Sequence, residues 1–265
     1  MFAFLGMINL NAAEKKIALL FLTRSDLNHT ELWKDWVIDD KYTIYNHPKT
    51  PVSDPWFSQF CIKQICQTSW ANTMLAQQAL LRAALKNPDN YKFIFLTESC
   101  APLRTADQVY KMLTDDNNSH MAWKKAWWEK KDPRTLSKFP EKYHRGNYSW
   151  FVLNRKHAEM IANDNYWILL SNKHPIDNES YPSTFFCMMG VLDEINNVLT
   201  HFVDWQRPQN SGPYVFCKAT QENLDILINV KKNYICPDGI PGFCLFARKF
   251  TPEFPIEALR QLQRD

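Results

Sequence analysis

Glycine is scarce in this chain: only six of its 265 residues are glycines. Neither G-x-G-x-x-G nor G-x-x-x-x-G-K-[ST] occurs, so the glycine-rich loops that cradle phosphate groups in Rossmann and P-loop proteins are missing. The pattern D-x-D, by which many enzymes hold a divalent metal on a diphosphate, is missing as well. If a diphosphate binds to this protein, basic side chains must neutralise it.

Motifs for hydrolysis and for zinc binding are also lacking. There is no G-x-S-x-G elbow and no H-E-x-x-H, and the seven histidines are scattered along the chain. The seven cysteines form no C-x-x-C pair, and their odd number leaves at least one thiol free or bound to another chain. A net charge of +3 is too small to predict a nucleic-acid partner, although it suits a local anionic ligand.

Long hydrophobic runs are absent, and without about 18 consecutive apolar residues no transmembrane helix is predicted. Residues 1–10 are apolar, and small residues that could form a cleavage site follow them. Two interpretations stay open for residues 1–14: the remnant of an export signal or membrane anchor, or an unstructured start. The first would make the protein secretory, periplasmic or peripherally membrane-associated, and the second cytoplasmic. The remainder, 15–265, contains no repeat or linker and is interpreted as one domain.

Hydrophobic patterning in the first hundred residues alternates between strands and helices. The predicted order is strand 17–22, a helix through Trp33 and Trp36 with Thr30 as its N-cap, strand 42–46, helix 71–85 and strand 93–96. Such an order is typical of a parallel sheet with crossover helices, in which ligands bind beyond the carboxyl ends of the strands. Those ends are followed by Arg24, by His47, and by Glu98 with Ser99.

The second half of the chain is less regular. Residues 115–142 are polar and rich in lysine and tryptophan, and we predict a long structureless loop there, near a binding site. Its tryptophans either stack on sugar faces or anchor the loop to the body. Order returns in three predicted strands and one helix, which are strands 149–153, 198–205 and 243–247 and helix 156–163.

Four residues are candidates for chemistry on their own merits. Glu179 lies in a polar break between apolar segments, where its carboxylate is either a general base or an ordinary cap or surface group. Arg207, Arg248 and Lys249 either bind phosphate oxygens or are solvated surface cations. The residue types alone do not choose between these alternatives.

Several segments in fixed order resemble the core-2/I-branching enzyme family, the inverting β-1,6-N-acetylglucosaminyltransferases. The resemblance covers roughly residues 16–252, and its early part is FLTESCAPL at 95–103, similar to the family's L-S-E-S-C-x-P-L. The more specific matches are GNYSWFVLNR at 146–155, NESY at 178–181 in place of D-E-H-Y, VDWQR at 203–207 in place of V-D-W-S-R, and FARKF at 246–250.

The resemblance implies a GT-A-like fold, an α/β domain whose mixed, mostly parallel central sheet is flanked by helices. It also implies transfer of a sugar, N-acetylglucosamine first, from a UDP-sugar to a hydroxyl of a glycan or glycoprotein, with no cofactor and no metal. Glu179 becomes the general base, and Lys249 with Arg207, or with Arg248 in reserve, holds the donor diphosphate.

Further roles follow from the same resemblance. Arg24 and His47 are candidates for the nucleotide, Glu98, Ser99 and Trp150 are candidates for the sugar or the acceptor, and a disulfide is expected between two cysteines, Cys236 and Cys244, in an oxidising compartment. Asn178 and Ser180 depart from the family pattern around Glu179, which affects the expected acceptor geometry. Transfer of xylose or glucuronate, or an inactive sugar-binding module, are the alternatives.

Overall fold

The computed structural model describes residues 15–125, 136–174, 176–207 and 212–264. The strands in these ranges are β1 (Lys16–Thr23), β2 (Tyr42–Pro48), β3 (Asn90–Leu96), β4 (Ala101–Pro102), β5 (Ser119–His120), β6 (Trp123–Lys125), β7 (Arg145–Asn147), β8 (Val152–Asn154), β9 (Ile195–Asn196), β10 (Leu199–Val203) and β11 (Gly242–Arg248). The α-helices are α1 (Thr30–Trp36), α2 (Pro55–Ser58), α3 (Met74–Ala84), α4 (Ala106–Thr114), α5 (Arg155–Asn163), α6 (Trp167–Ser171), α7 (Tyr181–Met188), α8 (Gln221–Lys232) and α9 (Ile256–Arg264).

A six-stranded central sheet organises the molecule, in the order β2-β1-β3-β8-β5-β9. Strand β1 is parallel to both β2 and β3, β8 is antiparallel to β3 and to β5, and β9 is parallel to β5. Helices cover the sheet on both faces. The predicted α/β architecture with a mixed, mostly parallel central sheet is therefore confirmed.

Strand β1 shows why its sequence is apolar almost throughout. Alternate side chains of a strand point to opposite faces, so Ala18 and Leu20 enter one core while Leu19 and Phe21 enter another. Helices α3, α5 and α7 supply the first core, and helices α1 and α4 supply the second. A strand that is buried on both faces carries a continuous hydrophobic run.

A smaller sheet extends the fold at the carboxyl ends of the parallel strands. Its order is β10-β11-β4, with β11 parallel to β10 and antiparallel to β4. Helices α8 and α9 pack on it and form a third core. Because β4 closely follows β3 in the chain, this sheet brings the C-terminal strand β11 to the end of the central sheet.

Three sequence-based expectations need correction. Thr30 is the first helical residue of α1 and not its cap, and α3 begins at Met74 because Ala71 has a left-handed backbone (φ 57°). The stretch 115–142 is not structureless throughout, since it contains β5 and β6. These short strands pair only with segments distant in sequence, which a local pattern does not reveal.

Two further predictions concern parts of the chain outside the described residues. The proposed signal or anchor remnant at 1–14 lies there, as does the tryptophan-containing stretch 126–135. Within the described ranges, no helix has both the length and the apolar character needed to span a bilayer.

Candidate active site

The loops that follow β1 and β3 meet at one edge of the sheet. Arg24 follows β1, and its Nε lies 4.0 Å from Oε1 of Glu98, which follows β3. The loop of Arg24 is held by Thr50, whose backbone N–H and hydroxyl each donate to the Arg24 carbonyl at 2.8 Å. The Arg24 side chain itself is 89% exposed and remains open to a ligand.

The end of β11 is hydrogen-bonded onto these loops. The backbone N–H of Phe250 donates to the Ser99 carbonyl at 2.9 Å, and Asn28 donates through its side-chain amide to the Phe250 carbonyl at 2.6 Å. The Asn28 backbone N–H donates in turn to the Glu98 carbonyl at 3.0 Å. These bonds place the residues that follow β11 beside Glu98, although they are distant in sequence.

Arg24, Glu98, Arg248 and Lys249, here called the strand-end cluster, carry more positive than negative charge. Among the described residues neither Arg248 nor Lys249 forms an ion pair, and the buried Nε of Arg248 has no hydrogen-bond partner. Burial lowers the pKa of Lys249, the Arg248 and Arg24 cations lower it further, and Glu98 opposes them. Cations that repel one another in a half-buried position form a site for an anion.

Trp150 joins the strand-end cluster from the neighbouring part of the central sheet. The guanidinium carbon of Arg248 lies 5.0 Å from the centre of the Trp150 ring, within the range of a cation–π contact. The Trp150 carbonyl accepts a hydrogen bond from the Thr200 hydroxyl at 3.3 Å, which ties it to β10. The structure therefore brings Trp150 together with Arg24, Glu98 and Arg248, as well as with Lys249.

Glu179 is positioned by a different set of elements, just before α7. Its carbonyl accepts a hydrogen bond from the backbone N–H of Asn147 at 2.8 Å, and the Asn147 side chain donates to the Asn178 carbonyl at 2.9 Å. The Glu179 residue is half-buried. Asn147 and Trp150 are three residues apart, a Cα separation of at most about 11 Å. Glu179 and the strand-end cluster are thus linked through the segment 147–150.

The family is decided by comparison with known proteins. A family model described as Core-2/I-Branching enzyme matches residues 17–228. The chain belongs to this family. It is also similar to Glycosyltransferase BC10 of Oryza sativa subsp. japonica, with 24% identity over 296 aligned residues that cover 89% of this chain and 74% of the rice protein. These findings confirm the resemblance read from the motifs, and they identify a glycosyltransferase of the core-2/I-branching family.

In this core-2/I-branching enzyme, Arg207 is already engaged with protein groups. Its Nε donates to Asp204 at 2.8 Å, one Nη donates to Glu222 at 3.2 Å, and its guanidinium lies 4.0 Å from the centre of the Tyr214 ring. Its other Nη is buried and has no hydrogen-bond partner within the described residues. Of the two arginines considered for the donor diphosphate, Arg248 lies in the strand-end cluster and forms no ion pair with any described residue, whereas Arg207 forms two.

His47 anchors a loop at the end of β2. Its Nε2 accepts a hydrogen bond from the backbone N–H of Cys66 at 2.8 Å, so the ring proton is on Nδ1. That Nδ1 is buried and lacks a partner among the described residues. Burial lowers the pKa of His47, which keeps the ring neutral at pH 7. A role at the nucleotide remains a prediction.

Asp177 is an important residue of the site region to which the sequence analysis gave no role. Its carboxylate accepts hydrogen bonds from the backbone N–H groups of Thr73 at 2.9 Å and Met74 at 3.3 Å, at the start of α3. Burial raises the pKa of Asp177 to about 7, although these hydrogen bonds oppose the shift. Its position two residues before Glu179 was the only sequence signal, and it did not show which helix the carboxylate would contact.

The expected disulfide is not formed in the structure. Cys236 and Cys244 are both buried free thiols. Burial raises the pKa of Cys244 to about 12, and the proximity of Cys236 contributes in the same direction. The Cys244 thiol is therefore protonated and unreactive in this state.

Proposed function

We propose that this enzyme transfers N-acetylglucosamine from a UDP-sugar to a hydroxyl group of a glycan or glycoprotein, with inversion at the anomeric carbon and without a metal ion. One observation carries the proposal: among the described residues, the strand-end cluster holds three cations against the single carboxylate of Glu98. A nucleoside diphosphate supplies the missing negative charge. Lys249 and Arg248 would bind its phosphate oxygens, with Arg207 at the periphery, while Arg24 and His47 face the nucleotide.

The charge arrangement suits the leaving group of this reaction. As the bond from the anomeric carbon to the diphosphate breaks, its electron pair stays on the phosphate oxygen and negative charge grows there. Fixed cations in a half-buried site stabilise that charge more in the transition state than in the ground state. Side chains can therefore do the work that a divalent metal does in enzymes with D-x-D.

Glu179 is proposed as the general base. Its carboxylate takes the proton of the acceptor hydroxyl, the hydroxyl oxygen bonds to the anomeric carbon, and UDP leaves from the opposite face. A single displacement of this kind inverts the anomeric configuration and needs only one carboxylate. Glu98, Ser99 and Trp150 are proposed contacts of the sugar or the acceptor.

The first test is a thermal-shift and calorimetric screen of UDP, UDP-N-acetylglucosamine, UDP-xylose, UDP-glucuronate and GDP-sugars, with EDTA and with Mn²⁺. We expect a UDP-sugar to bind equally well under both conditions. Lys249→Ala should weaken binding at least tenfold, since a charge-assisted phosphate contact contributes about 1.5–3 kcal/mol. The matched control is Lys156→Ala, because Lys156 already forms an ion pair with Glu194.

The outcomes separate the alternatives. A preference for UDP-xylose or UDP-glucuronate would change the proposed donor sugar and leave the proposed mechanism unchanged. Binding that requires Mn²⁺ would contradict the metal-free proposal. Binding of sugars without any transfer would favour an inactive sugar-binding module.

A further inference from the structure

Trp70 presents an unusually open aromatic ring on the surface. The residue is 82% exposed, the largest fraction among the large hydrophobic residues that the structure describes. Single exposed apolar side chains are common on proteins and need no explanation by themselves. The backbone that carries Trp70, however, is held more firmly than an ordinary surface loop.

The turn that carries Trp70 is closed on itself and bound to the segment before Glu179. Ser69 and Asn72 exchange two backbone hydrogen bonds of 3.3 Å across it. The Asn72 side chain donates to the carbonyl of Asn172 at 3.0 Å and also to that of His174. The C-terminal end of the turn is fixed at the start of α3, where the backbone N–H of Thr73 donates to the Asp177 carboxylate.

Ala71, at the centre of the turn, has a left-handed backbone with φ of 57°. For a residue with a β-carbon this conformation costs roughly 1–2 kcal/mol, so it persists only where surrounding contacts enforce it. Here the Ala71 carbonyl accepts a hydrogen bond from the backbone N–H of Asn178 at 3.4 Å. The exposed ring of Trp70 is therefore displayed on a fixed support.

That support is next to the proposed base. Trp70 adjoins Ala71 and Glu179 adjoins Asn178, and these two middle residues are hydrogen-bonded to each other. Standard backbone dimensions then limit the Cα separation of Trp70 and Glu179 to about 15 Å. A short oligosaccharide covers such a distance.

We propose that Trp70 is a stacking platform for a pyranose ring of the acceptor glycan. The proposal rests on the function proposed above, and it adds a residue that selects the acceptor and does not touch the donor. The apolar C–H face of a sugar packs on an indole ring at little entropic cost, because tryptophan has only two side-chain torsions. The backbone groups of Ser69 and Asn72 and the Ala71 carbonyl are already paired, so the ring is the main recognition feature that the turn offers.

The test compares Trp70→Ala, Trp70→Phe and the wild-type enzyme in steady-state transfer. The probe acceptors are p-nitrophenyl mono- and disaccharides of galactose, N-acetylgalactosamine and xylose. Trp70→Ala should raise KM for the acceptor about two- to tenfold, while kcat and KM for the UDP-sugar stay unchanged. Trp70→Phe should restore most of the loss. Tyr166→Ala is the matched control, since Tyr166 is an aromatic residue that is 63% exposed.

Two results would overturn the proposal. One is an acceptor KM that stays at the wild-type value in Trp70→Ala, and the other is an equal rise in Tyr166→Ala. If both variants instead lose binding to phosphatidylcholine–phosphatidylglycerol vesicles while acceptor KM is constant, the exposed aromatics contact a membrane and the platform is refuted.

Equilibrium binding separates this proposal from the proposed function. If the wild-type protein transfers no sugar, the same p-nitrophenyl glycosides are titrated by calorimetry. Binding that weakens in Trp70→Ala would then support the platform without the transferase activity. Binding that is absent in the wild type, or equal in both proteins, would overturn it.

Discussion

Two polar regions of this enzyme use similar residues for opposite purposes. One is the strand-end cluster, and the other is a network at the far edge of the same sheet. It consists of four buried residues, Lys92, Ser119, His120 and His157, and two more exposed carboxylates, Asp116 and Glu194. In the network Lys92 is completely buried, and its Nζ lies 3.1 Å from Asp116. In the strand-end cluster the cations of Arg248 and Lys249 have no ion-pair partner among the described residues.

Hydrogen bonds fix Ser119 and His157 within the network. The Ser119 hydroxyl accepts from the backbone N–H of Asn154 at 2.8 Å and therefore donates to Nδ1 of His157 at 2.7 Å. The remaining ring proton of His157 faces Glu194, whose carboxylate is 3.6 Å from Nε2. A serine, a histidine and a carboxylate thus lie in a row, but Ser119 is fully buried and no substrate reaches it.

The comparison teaches that charge balance separates structural polar groups from binding groups. A buried charge is tolerated when the protein itself pairs it, as in Lys92 and Asp116. A charged side chain without a partner in the protein is available to bind a ligand of opposite charge.

Glu179→Gln should lower kcat by about 10²–10⁴-fold, because an amide does not accept the acceptor proton. Thermal stability and UDP-sugar affinity should stay at the wild-type values. Glu194→Gln is the control from the network, and it should do the reverse: a small fall in Tm with unchanged kcat. Near-normal turnover in Glu179→Gln would show that another group is the base.

Asp116→Ala should lower the free energy of unfolding by roughly 2–4 kcal/mol, since it leaves the buried Lys92 ammonium without its counterion. Lys92→Met removes the cation as well and should cost far less. Urea unfolding of both variants measures the difference. Neither should change UDP-sugar binding, and a loss of binding would mean that the two regions are coupled.

The two buried histidines His120 and His201 should each lower stability as the pH falls below about 6.5. Burial lowers the pKa of His120 to about 4 and, with help from Arg248, that of His201 to about 3. Both histidines are neutral in the folded protein and take up protons on unfolding. Each therefore lowers the free energy of unfolding by up to about 1.4 kcal/mol per pH unit between pH 6.5 and its folded pKa.

Urea unfolding between pH 7 and pH 5 measures this slope. His120→Gln and His201→Gln should each make it shallower. Bound UDP should reduce the loss of stability connected with His201, because its phosphates offset the Arg248 charge that helps to lower the pKa of His201. An identical slope in the wild type and both variants would refute this account.

Arg24→Ala should have the smallest effect on the folded state, within about 0.5 kcal/mol, because its contact with Glu98 is long and the side chain is exposed. It should still weaken UDP binding measurably, in a manner that added salt reduces. A large loss of stability would show that Arg24 is part of the framework and not of the binding surface.

Much of the first half of the fold was predictable because its signals are local. The run around Leu19 and Leu20 predicts a strand buried on both faces, and the strand order predicts where its loops converge. The short strands at Ser119 and Trp123 were missed, since their pairing partners lie far along the chain. Thr30 was misplaced as a cap because a threonine fits equally well just inside a helix.

The candidate site divides in the same way. The sequence supplied the residue types and, through ordered motifs, the family. It did not show that Arg248 is the better candidate than Arg207 for the donor diphosphate, because either guanidinium could bind phosphate oxygens. Only the fold shows that Asp204 and Glu222 already engage Arg207.

By itself, then, the sequence determined the parallel-sheet core and the family, since hydrophobic periodicity and ordered motifs are properties of the linear chain. The tertiary structure alone decided which charges are balanced. It set Lys249 beside Arg24, and the Trp70 turn beside Glu179, through hydrogen bonds between distant segments. Electrostatic interactions depend on distance in space and on burial, and neither is encoded in spacing along the chain.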